Sequence, residues 1–206
     1  MKRILLTGFD PFGGETINPA WETVRRVECD RAELIGMEIP TSYARGPECL
    51  RDLMQEYRPD AVVCVGQAGG RRGVTIERVA INCMDATLAD NDGVVCTDQP
   101  IDPAGEAAYF STLPIRRMHR ALREAGFTAA LSNSAGTFVC NRVMYEALAC
   151  AARLERAPLC GFIHLPYLPQ QAEGKQPEPP HMPLEDMIEA LKTALNALID
   201  EMEDTQ

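Results

Sequence analysis

The chain has 206 residues, 46% of them hydrophobic, and a formal net charge of −10. That is enough apolar material for a full core and the wrong sign of charge for a nucleic-acid partner. No basic run longer than Arg71-Arg72 or Arg116-Arg117 offsets the acidity, and no apolar run approaches the ~20 residues that a membrane span needs.

The opening MKRILLTGFD has too short an apolar segment for a signal peptide and reads as a first strand. A cytoplasmic location is expected. Cysteines fall at 29, 49, 64, 83, 96, 140, 150 and 160, with no C-x-x-C and no close Cys/His pairing. Reduced thiols are therefore expected, and neither a structural metal nor a cofactor.

Arg3 to Thr7 is a continuous apolar strand followed by the loop FDPFGGETIN. Asn18-Pro19 opens a helix with Pro at its first position, running through Val27. Ala32 to Ile39 is a second strand, Ala44 to Tyr57 a helix, and Asp60 to Gly66 a third strand, apolar on both faces. The glycine-rich QAGGRRG follows. Val74 to Met84 alternates as one strand, which puts Glu77 on a face with Val79 and Ile81 and allows antiparallel pairing in an otherwise parallel sheet. Asp85 to Pro103 is irregular, with a turn at Asp90 to Gly93 and a short hairpin around Val94 and Val95. Thr112 to Ala125 is an amphipathic helix stopped by Gly126, Leu159 to Leu165 a strand, Tyr167 to Pro183 a surface loop, and Leu184 to Met202 the closing helix. This order predicts a single domain over 1–206. Its fold is a three-layer α/β/α sandwich around a mixed, mostly parallel twisted sheet, phosphorylase/hydrolase-like in its layering.

Phe127 to Glu146 concentrates the chemistry. A short strand to Leu131 gives way to small, polar residues from Ser132 to Val139, and a helix runs on from Asn141. Cys140 sits where loop becomes helix, and unpaired N–H groups there favour an anion such as a thiolate. His119 lies on a charged helix and His181 in a proline-rich loop, both reading as bland. His164 ends an apolar strand and is the best-placed base for Cys140, the two expected at one edge of the sheet. A carboxylate would complete such a pair. Glu77 lies inside a strand, where a charge needs a partner, and a salt bridge with Arg71, Arg72 or Arg78 would explain it equally well. Neither glycine loop has the spacing of a phosphate loop or a dinucleotide fingerprint. Both should line the crevice at the ends of the strands. A non-catalytic binder of small metabolites and a nucleoside phosphorylase-like enzyme are the competing readings. The first has no need of this Glu, Cys and His, and the second wants basic phosphate ligands beyond Arg71 and Arg72.

GFDPFGGETINPAWE, VTIERVAIN, SNSAGTFVCNRVMYE and GFIHLPYLPQQ together resemble the pyroglutamyl peptidase I family, from about Ile4 to about Leu198. The resemblance implies a cytoplasmic cysteine peptidase that removes an N-terminal pyroglutamyl residue from peptides, with no metal. The family's Glu, Cys, His order falls on Glu77, Cys140 and His164. Its lactam pocket falls on Phe9, Phe12 and Phe138 as aromatic walls and on Gln67 as a polar contact, with the side chain of Asn18 and the backbone of Val139 assisting. The resemblance also implies a homo-oligomer, dimer or tetramer. Many relatives read D-A-R shortly after the glutamate motif, where this chain has Asp85-Ala86-Thr87, so altered rate or pH dependence is expected here.

Overall fold

The computed structural model describes residues 1–204. In chain order the elements are β1 (Lys2–Phe9), α1 (Pro19–Val24), β2 (Ala32–Ile39), α2 (Arg45–Tyr57), β3 (Ala61–Gln67), β4 (Val74–Glu77) and β5 (Val79–Ile81). There follow β6 (Ala108–Phe110), α3 (Ile115–Glu124), β7 (Ala129–Ser132), α4 (Val139–Ala151), β8 (Leu159–Leu165), α5 (Pro169–Ala172) and α6 (Leu184–Asp204). A six-stranded sheet has the order β2-β1-β3-β8-β4-β7, and β5 and β6 form a small second sheet. All neighbours in the large sheet are parallel except β4 and β8.

The alternation within the strands explains the layers. Ile4, Leu6, Val63, Val65, Ile163 and Leu165 face one core, which Met118 of α3 and Leu191, Leu195 and Leu198 of α6 close. Leu5, Val62, Cys64 and Phe162 face the other, against Leu50 of α2 and Val143, Met144 and Leu148 of α4. Every residue of β3 is buried, as expected of a strand with helices on both sides. Each fully buried Leu or Val contributes about 1.5–3 kcal/mol, an upper estimate against an extended chain. The three-layer α/β/α prediction holds, and so does the mixed sheet.

Three local expectations fail. The run from Val74 to Met84 is two strands: the chain leaves the large sheet at Arg78, whose N–H donates to Ser132 O and whose carbonyl accepts from Ser111 N, both at 2.8 Å. Glu77 thus ends β4 and shares no face with Val79 and Ile81, which pair with β6. No hairpin forms at Val94 and Val95. The buried Asp90 carboxylate takes the N–H groups of Asp92 at 2.9 Å and Val94 at 2.8 Å, closing a local turn in place of a strand ladder. The segment Tyr167 to Pro183 is not all surface, because α5 buries Gln171 and Ala172. Among the described residues no helix is long and apolar enough to cross a membrane.

Candidate active site

The register of the sheet brings His164 and Glu77 together. His164 near the end of β8 lies beside Thr75 of β4. Glu77, two residues along β4, points to the same face and is within a diagonal cross-strand reach. The His164 Nδ1 stands 2.7 Å from Glu77 Oε1, and both side chains are buried. With Nδ1 committed to the carboxylate, Nε2 is the ring nitrogen left to act.

On its other side His164 pairs in register with Gly66 of β3. A Cβ at Gly66 would stand 3.0 Å from Cys140 Sγ and 2.7 Å from the Phe162 ring. The absence of a side chain there is what lets the thiol settle over the sheet beside His164. Cys140 lies in the first turn of α4, which is entered through Phe138 in an extended conformation. Asn141, fully buried, anchors that turn: its Oδ1 accepts from Ile81 N at 2.9 Å and its Nδ2 donates to the carbonyls of Ile81 at 2.8 Å and Cys83 at 3.0 Å. Cys140 and His164 do come together at one edge of the sheet, as expected, though not through the direction of β7. β7 runs against β8, and the loop Asn133–Phe138 turns the chain back over the sheet.

Cys140 and His164 open into a cavity of about 570 Å³, shared with Phe12, Gln67, Arg71 and Phe138. The Phe12 and Phe138 rings face each other at 5.8 Å, and Tyr43 meets Phe138 edge-on at 5.5 Å. A larger cleft, about 960 Å³, surrounds Arg3, Met54 and Pro158 at the starts of the strands. Its one cysteine, Cys150, is pushed up to about 11 by burial and by Glu146, and none of the expected site residues reaches it.

A family model described as pyroglutamyl peptidase matches residues 2–201. The chain belongs to the pyroglutamyl peptidase family. A pyrrolidone-carboxylate peptidase of Streptococcus pyogenes is 45% identical over 200 residues, covering 96% of this chain and 93% of its own. The crystal structure of pyroglutamyl peptidase I from Bacillus amyloliquefaciens superposes with a TM-score of 0.93 at 41% identity, covering 97% of this chain and 98% of that one. A mutant pyrrolidone carboxyl peptidase from the hyperthermophile Pyrococcus furiosus gives a TM-score of 0.93 at 39% identity, covering 97% and 99%.

Set beside the expectations for a pyroglutamyl peptidase, the cavity keeps Phe12, Phe138 and Gln67 and loses others. Phe9 is a core residue: it is buried and packs on Phe162 with ring centroids 6.2 Å apart, because it continues the Leu5 face of β1, which packs against α2 and α4. Asn18 is spent on structure. Its Oδ1 accepts from Ala20 N and its Nδ2 donates to Asp10 O, both at 3.0 Å, so it caps α1 and shapes the first loop. Val139 buries its side chain completely and can offer the cavity only backbone. Thr87 lies on the cavity wall.

Sequence reasoning missed Arg71 as part of the site. Its Nη1 forms a short ion pair with Glu77 Oε1, the same oxygen that meets His164, and its Nη2 reaches Ser134 O at 3.4 Å. One oxygen of Glu77 thus meets both His164 and Arg71, one of the three arginines expected as its partner. Burial would raise the Glu77 carboxyl, but the bond and charge of His164, then the Ser132 hydroxyl and the Arg71 charge, hold it below its ordinary 4.5. Burial lowers His164 below 6.5, opposed by Glu77 and assisted by Arg71. Burial and then the Glu77 charge push the Cys140 thiol up to about 12, against Arg71 and the helix terminus. Burial therefore opposes the thiolate that the helix position favours.

Proposed function

We propose that the chain hydrolyses the bond after an N-terminal pyroglutamyl residue of peptides, with Cys140 as nucleophile, His164 as base and Glu77 as its orienter. The observation that carries the reading is the 2.7 Å bond between His164 Nδ1 and Glu77 Oε1, in a cavity that also holds the Cys140 thiol.

His164 Nε2 takes the thiol proton as Sγ attacks the carbonyl joining pyroglutamate to the next residue. Glu77 stabilises the imidazolium so formed. N–H groups in the first turn of α4, that of Cys140 included, hold the oxyanion. His164 then gives its proton to the leaving amine, and water attacks the thioester with His164 again as base, releasing pyroglutamate and the free thiol. Phe12 and Phe138 sandwich the flat, neutral lactam. A ring between them needs about 7 Å, twice a ~3.5 Å carbon contact, so the first loop opens slightly from its 5.8 Å spacing.

The same reading takes residues 1–206 as one catalytic domain that works in the cytoplasm as a dimer or tetramer. It invokes no cofactor and no nucleic-acid partner. A phosphorylase is disfavoured because Arg71, the one arginine or lysine on the cavity wall among the described residues, is already paired with Glu77.

The test is a panel of arylamides. Pyroglutamyl-arylamide should be cleaved without added phosphate or metal, while glutamyl and prolyl analogues are left intact. Cleavage of the three at similar rates would overturn the assignment. Arg71→Gln gives a second expectation. The positive charge of Arg71 lowers His164, so its loss raises His164, and the acid limb of kcat/KM should move to higher pH.

A further inference from the structure

Gln171 lies in α5, outside the cavity wall, and is buried. Two backbone groups with fixed roles settle which way its amide stands. Leu168 N–H can only donate and is 3.0 Å from Gln171 Oε1; the Ile17 carbonyl can only accept and is 3.2 Å from Nε2. That same Nε2 points at Gln67 Oε1, 2.8 Å away, and at Glu15 Oε2, 3.3 Å away. A donor in this position requires Gln67 to present its oxygen, so the Gln67 Nε2 must turn the other way. Among the described residues that nitrogen has no hydrogen-bond partner, and it is not among the buried polar atoms left without one. It is therefore open to the cavity that Gln67 lines. The support is braced from outside, since Lys175 Nζ holds Glu15 Oε1 at 2.7 Å.

We propose that Gln171 is a positioning residue for substrate selection: it holds Gln67 with its NH₂ turned into the cavity, where it donates to the carbonyl oxygen of the lactam ring. The proposal rests on the pyroglutamyl reading above and deepens it. A freely rotating Gln67 would present oxygen or nitrogen with similar ease; a fixed one presents a donor only. A pyrrolidine ring without the carbonyl covers that donor and leaves it unpaired, and a site built around a hydrogen bond discriminates strongly against a substrate that cannot make it.

The test is a double-mutant cycle on pyroglutamyl-arylamide with Gln171→Met, Gln67→Met and the pair. Gln171→Met should raise KM about tenfold, the loss of one oriented hydrogen bond, with kcat changed less than about threefold. In the Gln67→Met background the same substitution should leave KM unmoved, because Gln171 acts only through Gln67. A merely structural role would lower kcat and the melting temperature in both backgrounds alike. Should Gln171→Met fold poorly, Gln171→Glu keeps the acceptor for Leu168 N–H. Ionised at mildly alkaline pH, it offers Gln67 no donor and should raise KM in the same way. Unchanged KM in a folded variant, or independent effects of the two substitutions, overturns the proposal alone. A wild-type protein that cleaves no pyroglutamyl-arylamide overturns the reading of the site, and this proposal with it.

Discussion

Cys140→Ala reduces pyroglutamyl-arylamide hydrolysis by on the order of 10⁴-fold or more, the scale expected when a covalent nucleophile is removed. Among the described residues no other cysteine borders the cavity. Cys64 of β3 is fully buried and pushed up to about 12 by desolvation, so it cannot substitute. The Thr87 hydroxyl on the wall has no base hydrogen-bonded to it. The fold should tolerate the change, because α4 is held at this point by Asn141 and not by the sulfur. The variant should melt close to the wild type and still bind a pyroglutamyl peptide, since the aromatic walls and Gln67 remain. Hydrolysis within tenfold of wild type would mean that another group attacks. Alkylation gives an independent check: iodoacetamide should inactivate the wild type by modifying Cys140, substrate should protect it, and modification confined to any other cysteine would refute the assignment.

Fold and site differ in how far the sequence made them legible, and the reasons are physical. Strands such as Ala61–Gln67 and Leu159–Leu165, and helices such as Leu184–Asp204, are readable because burial imposes a period on the residues themselves. The break at Arg78 is invisible to that signal: an alternating pattern survives while the chain passes from one sheet to another. Cys140 and His164 are legible from residue scarcity and position, but the path that joins them is not, because β7 runs against β8. Their proximity depends on Gly66, on the loop before α4 and on Asn141, none of which carries a distinctive spacing. The buried Glu77 was recognisable as needing partners, yet the chain could not say that one oxygen would serve both His164 and Arg71. Phe9 and Phe12 look alike in FDPFGG; only the face of β1 on which Phe9 falls sends it to the core. Gln171 sits in a proline-rich stretch that reads as loop, and its burial comes from contacts with Ile17 and Gln67 far away in the chain.

Glu77→Gln should lower kcat by about 10³-fold, less than the ~10⁴ that follows when an orienting carboxylate is replaced and the histidine tautomer is lost with it. The difference lies in the shared oxygen. His164 and Arg71 both meet Oε1, so an amide at this position can keep its oxygen toward both and its NH₂ where Oε2 now lies, buried without a partner. The tautomer is retained and the negative charge is lost. What remains missing is stabilisation of the imidazolium as Cys140 gives up its proton, so kcat should fall far more than KM rises. The pH dependence carries the sharper test. Glu77 raises His164 while Arg71 lowers it, and the base works only when neutral. Activity is lost as pH falls through the His164 pKa; removing the carboxylate moves that loss to lower pH, whereas Arg71→Gln moves it to higher pH. Glu77 also raises the Cys140 thiol, so alkylation of Glu77→Gln should begin at a lower pH than in the wild type. Two substitutions on either side of one ion pair that shift the acid limb in the same direction would show that neither acts through charge on His164.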